Sequence, residues 1–107
     1  MSSFDKRDDT FENKFVHDAE LQFKVAARRN KLLGLWAAGL MGIEGDAAAE
    51  YAKTVVTADL QEEGDEDVFV KIRTDFDAKG IQQSDHQIRR TMEELLAEAK
   101  NQIKMQG

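Results

Sequence analysis

Residues 11–43 read FENKFVHDAELQFKVAARRNKLLGLWAAGLMGI, and the character of this stretch changes halfway along it. It is dense in charge as far as Arg29 and carries no charge from Leu32 to Ile43. A spacing of three or four residues places side chains on one face of a helix. The apolar residues with this spacing are Phe11, Phe15, Ala19, Phe23, Ala26, Leu33, Ala37 and Leu40. The pattern predicts one long helix from about Thr10 to Leu40.

The composition of the whole chain is typical of an all-α protein. The chain has 107 residues, enough for one domain, and contains no proline. The absence of cysteine excludes disulfides and thiolate metal sites. The apolar run is about half the ~20 residues that a membrane span needs, and the first residues lack the pattern of a secretory signal. We therefore expect a soluble protein in a reducing compartment.

Residues that favour helix ends divide the chain into four helices with short connections. The predicted ends are glycines and the predicted N-caps are polar residues. The first helix ends at Gly39, Gly42 or Gly45, the second runs from Asp46 to Gly64, the third runs from Asp65 to Gly80, and the fourth starts with a Ser84–Gln87 capping box. Short connections predict antiparallel neighbours, so the predicted fold is a four-helix bundle with a long first helix and a flexible N-terminal arm.

The compact part of this bundle is predicted to begin near residues 21–23, where the apolar residues become dense enough to be buried. Trp36 is interpreted as a core anchor. The residues predicted to be mostly buried are Phe23, Leu33, Trp36, Val55, Phe69, Ile72, Met92 and Leu95.

The residues before Phe11 differ from the rest of the chain, because Phe4 is their only large apolar residue after Met1. Such a segment buries too little surface to offset its ordering entropy, so it is expected to be disordered or only partly helical. An ordinary frayed terminus explains the composition equally well. The predicted division is an arm of residues 1–18 and a bundle of residues 19–107.

The arm has the pattern of an amphipathic helix that docks in a groove of another protein. Phenylalanines would supply apolar anchors, and charged residues would set orientation through charge complementarity. The predicted partner-binding residues are Phe4, Asp5, Arg7, Asp8, Phe11, Glu12, Lys14 and Phe15.

Charge is unevenly distributed in this chain, whose formal net charge is −6. An acidic chain gains no long-range attraction to nucleic acid or anionic lipid. Lys24, Arg28, Arg29 and Lys31 nevertheless form a local basic patch. This patch is expected to meet an acidic partner or another part of the chain, and Arg28, Arg29 and Lys31 are candidates for holding a nucleotide phosphate weakly.

No pattern in the sequence indicates catalysis or a metal site. His17 and His86 are far apart, and Ser84 is better explained as a helix cap than as a nucleophile. The glycines between 34 and 45 are not followed by the Gly-Lys-Ser/Thr of a phosphate-binding loop. We therefore expect a protein that is not an enzyme and holds no metal.

Three segments resemble the bacterial zeta-type inhibitor subunit of the F-type ATP synthase. They are residues 11–42 (FENKFVHDAELQFKVAARRNKLLGLWAAGLMG), residues 48–75 (AAEYAKTVVTADLQEEGDEDVFVKIRTD) and residues 84–103 (SDHQIRRTMEELLAEAKNQI). The resemblance implies a four-helix bundle with an inhibitory arm, which is poorly ordered when free. The arm folds as a helix in a catalytic interface between alpha and beta subunits, where it blocks rotation and ATP hydrolysis.

The resemblance also carries expectations about residues and partners. The inhibitory stretch corresponds to about Ser3–Phe15, with the helix continuing to His17 and Asp18. The implied partners are the alpha, beta and gamma subunits, without nucleic acid or membrane insertion. The implied location is the cytoplasm, peripheral to the inner membrane. No cofactor is implied, although weak binding of ATP or ADP is left open. The residues alone also allow a small nucleotide-binding module or a helical protein-interaction module.

Overall fold

The computed structural model describes residues 18–59 and 65–106. These ranges contain four α-helices and no strand. The helices are α1 (Ala19–Leu40), α2 (Gly45–Asp59), α3 (Glu66–Lys79) and α4 (Asp85–Gln106). The predicted all-α class and four-helix architecture are confirmed.

Helix α1 is the central element, because it contacts each of the other three helices. Gly34 in α1 lies against Ala52 in the middle of α2, whereas Phe23 near the start of α1 lies beside Asp59 at the end of α2. Arg28, in the first half of α1, reaches Gln102 near the end of α4. Both pairs of helices are therefore antiparallel, as the short connections predict for sequential neighbours.

Glycines close α1 and α3 as predicted. Gly80 adopts a left-handed conformation with φ of 69° after the last turn of α3. The N–H of Ile81 then donates to the carbonyl of Phe76 over 2.9 Å, which completes a Schellman motif. Gly42, with φ of 76°, closes α1 in the same way.

The predicted N-caps of the last three helices have different outcomes. The Ser84–Gln87 capping box is confirmed: the Ser84 N–H donates to Gln87 Oε1 over 2.8 Å, and the Gln87 N–H donates to Ser84 Oγ over 3.1 Å. The prediction for Asp46 is wrong, because α2 begins at Gly45 and Asp46 lies within its first turn. Asp65 occupies the N-cap position of α3, but its carboxylate makes no capping hydrogen bond because it binds a side chain of α1. The predicted end of α2 at Gly64 lies outside the described residues.

A capping residue sets the start of α1. Asp18 has an extended backbone, with φ of −111° and ψ of 102°, and its Oδ1 accepts hydrogen bonds from the N–H groups of Glu20 (3.0 Å) and Leu21 (3.2 Å). An aspartate at this position accepts the hydrogen bonds of first-turn N–H groups, which carbonyl groups of a preceding helical turn would otherwise accept. The predicted unbroken helix from about Thr10 to Leu40 is therefore wrong at Asp18. The implied helix of the bound arm, which continues to His17 and Asp18, stays a prediction.

The core confirms most of the predicted buried residues, namely Leu33, Val55, Phe69, Ile72 and Met92. Trp36 and Leu95 are only half-buried against this core. The prediction for Phe23 is wrong, because this side chain is 57% exposed. At this level the buried residues of α1 are Val25 and Arg29, so Phe23 lies outside the buried face, although the same stripe is buried further along at Leu33 and Ala37.

Candidate partner-binding surfaces

All eight predicted partner-binding residues of the arm precede the first described residue, Asp18. Their contacts, and the predicted flexibility of the arm, therefore stay predictions. They are Phe4, Asp5, Arg7, Asp8, Phe11, Glu12, Lys14 and Phe15. The start of α1 gives only indirect information about these residues. The Asp18 side chain accepts hydrogen bonds from the first turn of α1, so this turn does not require a preceding helix.

The described bundle has a groove between α1, α2 and α4, with a volume of about 900 Å³. We call it the basic groove, because the described residues that line it include four cations and neither aspartate nor glutamate. Its floor is apolar and consists of Phe23, Ala27, Ala49, Ala52, Val56 and Ile103. The cations along its edge are Lys24, Arg28, Lys31 and Lys53. This concentration of positive charge stands out in a chain whose net charge is −6.

The charges of the basic groove are weakly compensated by the described residues. The Arg28 guanidinium donates to Gln102 Oε1 over 2.7 Å and to Gln106 Oε1 over 3.3 Å, and both of these acceptors are neutral amides. Lys24 and Lys53 each pair with a glutamate of their own helix, at 3.6 and 3.3 Å, but all four side chains are well exposed. Exposed pairs of this kind contribute little to stability, so Lys24 and Lys53 can exchange these glutamates for carboxylates of a partner at low cost.

Arg29 belongs to the interior of the bundle and not to the groove. Its side chain is 2% exposed, its Nε donates to Asn30 Oδ1 over 2.6 Å, and a terminal nitrogen donates to Asp65 Oδ1 over 2.8 Å. The predicted contact between the basic patch and another part of the chain is therefore confirmed for Arg29. Because these nitrogens are already bound inside the protein, Arg29 is a poor candidate for holding a phosphate.

A half-buried polar group lies at the contact between helices α2 and α3. The Tyr51 hydroxyl donates to Asp75 Oδ2 over 2.7 Å, and Lys71 Nζ lies 2.9 Å from the same oxygen. Lys71 also lies 5.2 Å from the centre of the Tyr51 ring. Burial raises the pKa of Tyr51 well above its ordinary value of 10.0, and the hydrogen bond and negative charge of Asp75 raise it further. A phenol that holds its proton so tightly ties two helices together.

The residues considered for catalysis or metal binding are not assembled into a site in the described ranges. His86 is exposed in the first turn of α4, and Ser84 is occupied as a cap. Within residues 18–59 and 65–106, no three His, Asp or Glu side chains are grouped so that they could hold a metal ion. His17 lies outside the described residues.

Sequence reasoning identified the basic patch but missed the groove that it borders. The floor combines residues from three helices, and Lys53 joins the edge from α2, so their proximity depends on how the helices pack. One signal was present in the sequence: Lys24, Arg28 and Lys31 follow an i, i+4, i+7 spacing, which places them along one face of α1.

A comparison with known protein families identifies the family of this chain. The model of the family described as ATPase inhibitor subunit zeta matches residues 1–102. The chain belongs to the ATPase inhibitor subunit zeta family. This result confirms the resemblance found in the sequence, and the match includes the residues of the predicted arm as well as most of the bundle.

A solved solution NMR structure is also similar to this zeta-family chain. The two are 45% identical and superpose with a TM-score of 0.72, over 81% of this chain and 99% of the solved one. The search of curated proteins found no match. None of the zeta-family helices within the described ranges has an apolar stretch long enough to cross a membrane.

Proposed function

We propose that this zeta-family chain is a non-enzymatic inhibitor of ATP hydrolysis by the F-type ATP synthase. Its arm inserts as a helix into a catalytic interface between alpha and beta subunits and blocks rotation, with gamma as a further contact. The chain is cytoplasmic and reaches the membrane surface only through the synthase. The observation that carries this proposal is the family match over residues 1–102, because it spans both the arm and the bundle.

The start of the bundle supports separate roles for the two parts, with the arm inhibiting and the bundle folding independently. Asp18 satisfies the first-turn N–H groups of α1 with its own carboxylate, so α1 does not depend on a helix before it. In this proposal the arm residues Phe4, Phe11 and Phe15 serve as the apolar anchors for the partner. Coupled folding of such a segment lowers affinity per unit area but lets it enter a deep interface.

The test is ATP hydrolysis by the purified cognate headpiece, titrated with the full-length chain. We expect saturable inhibition, and we expect Phe11→Ala with Phe15→Ala to weaken it strongly because both anchors are removed. The matched control is Leu40→Ala with Val70→Ala, which removes two exposed apolar side chains from the bundle. Equal inhibition by the arm variant and the wild-type chain would place the inhibitory surface elsewhere. A pull-down should recover alpha, beta and gamma together.

Weak binding of ATP or ADP is a second candidate, and the observation that favours it is the four cations of the basic groove. Its volume also lies within the usual range for small-molecule sites. The test is a titration of the isotopically labelled chain with ATP and magnesium, followed by NMR. Saturable shifts confined to groove residues would support this candidate.

A further inference from the structure

The cations of the basic groove are arranged in a line. Lys24, Arg28 and Lys31 lie along one face of α1 at i, i+4 and i+7, which corresponds to a rise of about 10 Å. Lys53 of α2 lines the same groove. Carboxylates spaced at i, i+3 or i+4 and i+7 on another helix would match this row of charges over about two turns.

The floor between these charges suits an apolar helix face. Three alanines, Ala27, Ala49 and Ala52, belong to this floor. Because their side chains are small, the backbone of another helix can approach closely. Larger apolar side chains line the same floor, among them Phe23, which is 57% exposed. An exposed Phe beside the alanines of the floor offers apolar area that a bound partner would cover.

We propose that the basic groove is a docking site for an acidic amphipathic helix of a partner protein. The apolar face of that helix packs on Phe23, Val56 and Ile103, and its carboxylates face Lys24, Arg28 and Lys31. This is helix-in-groove recognition, in which apolar anchors give affinity and charge gives orientation. The proposal goes beyond the inhibitory arm, since none of the residues that form the groove belongs to the arm.

The geometry favours a helix over a nucleotide as the occupant. A nucleotide concentrates its charge in a short phosphate chain, which binds best to clustered cations and free N–H groups at a helix N-terminus. The groove instead has three of its cations spread over about two turns of α1 and the fourth on α2, so they match a row of separate carboxylates better than a compact phosphate chain. The nearby N-terminus of α1 is already capped by Asp18.

The test uses the full-length, isotopically labelled chain and a synthetic peptide as the probe. The peptide is about four turns long, with leucines on one helical face and glutamates on the flanks. We expect saturable NMR shifts at the amides of Ala27, Lys31, Val56 and Ile103, and we expect them to weaken as salt is raised. A control peptide with every glutamate replaced by glutamine should bind about fivefold more weakly or worse.

Two double variants test the location. Lys31→Ala with Lys53→Ala removes two charges from the edge of the groove, and should weaken peptide binding about fivefold or more. Lys79→Ala with Arg90→Ala is the matched control, because it removes two charges from α3 and the start of α4, outside the groove lining. Each pair includes one member of an exposed ion pair within a helix, Lys53–Glu50 and Arg90–Glu94. The control variant should bind like the wild-type chain.

Several results would overturn the proposal. Shifts with ATP but not with the peptide would assign the groove to a nucleotide. Concentration-dependent shifts of the same amides without peptide would assign it to a second copy of the chain. Equal binding of the glutamine peptide, equal losses in both double variants, or no binding at all would also contradict it. None of these outcomes depends on ATPase inhibition, so the failure of this proposal and that of the proposed function are distinguishable.

Discussion

At the scale of single residues, the ion pair of Arg29 and Asp65 joins α1 to the start of α3. Arg29 is 2% exposed, whereas Asp65 is 58% exposed, so removing the carboxylate leaves a buried guanidinium without its counter-charge. Breaking a fully buried pair costs about 3–5 kcal/mol, and the exposure of Asp65 reduces this cost. We expect Asp65→Ala to lower the free energy of unfolding by about 2 kcal/mol, measured by chemical denaturation.

The neighbouring residue supplies the control for this prediction. Glu66 pairs with Arg89 at 2.9 Å, but both side chains are more than half exposed. Glu66→Ala should therefore cost no more than about 1 kcal/mol. Equal losses in the two variants would show that burial of Arg29 does not decide the energetics of its pair.

The environment of Tyr51 predicts how the stability of the protein changes at alkaline pH. Its pKa is raised above the ordinary value of 10.0, first by burial and then by its hydrogen bond to Asp75. A group whose folded-state pKa is raised contributes stability below its unfolded pKa and loses that contribution as the pH rises further. We expect stability to fall above pH ~10, and phenolate absorbance to appear only as the protein unfolds.

The measurement is unambiguous because Tyr51 is the only tyrosine in the sequence. Tyr51→Phe is the control, since it removes the titrating proton and should remove this part of the pH dependence. Phenolate formation near pH 10 in a chain with intact helical circular dichroism would contradict the prediction.

At the scale of helices, the close contact of α1 and α2 depends on Gly34. A Cβ placed on Gly34 would lie 2.6 Å from Ala52 Cα, which belongs to the backbone of α2 and cannot rotate away. We expect Gly34→Ala to force the two helices apart and to lower the free energy of unfolding by about 1–3 kcal/mol. Thermal or chemical denaturation followed by circular dichroism measures this loss.

Gly39, five residues further along α1, is the matched control. A Cβ there would meet nothing within 4 Å, and the residue is exposed. Gly39→Ala should therefore stabilise the protein by about 0.5–1 kcal/mol, because alanine restricts the unfolded chain and favours the helix. A loss of stability in both variants would show that helix spacing is not the cause.

Helix ends were predictable from the sequence where a few neighbouring residues determine them. Gly80 and the Ser84–Gln87 box satisfy backbone groups within one turn, so their residue types and spacing were sufficient. The cap at Asp18 was not predicted because the apolar stripe continues across this residue. Its carboxylate nevertheless marks the N-terminal end of α1. The capping residue was visible in the sequence, but the apolar periodicity favoured a helix that continues through it.

Burial was less predictable because it depends on the neighbouring helices. The stripe through Phe23 predicted a buried side chain, but periodicity does not show which neighbours cover a helix at each level. The same limit applies to the basic groove, whose floor comes from three helices. It also applies to the pair of Arg29 and Asp65, which are 36 residues apart in the sequence. In the predicted arm, no described contact tests the eight residues proposed to bind a partner.

At the scale of the whole molecule, the described bundle contains its own core and its own caps. The largest group of packed apolar residues combines all four helices, from Leu33 in α1 to Met92 in α4. The first turn of α1 is satisfied by Asp18, and the last helix by the Ser84–Gln87 box. We therefore expect the bundle to fold without the arm. Inhibition, in contrast, is assigned to arm residues such as Phe11 and Phe15.

This arrangement predicts that folding and inhibition are separable. Deleting residues 1–15 should leave the helical circular dichroism of the rest and its thermal transition nearly unchanged, because Asp18 remains to cap α1. The same deletion should abolish or greatly weaken inhibition of ATP hydrolysis by the headpiece. Asp18→Ala in the full-length chain should do the reverse: it should cost about 1 kcal/mol of stability through the lost cap and retain inhibition. A truncated chain that inhibits like the full one would move the inhibitory surface to the bundle, whereas a truncated chain that unfolds would show that the arm is part of the fold.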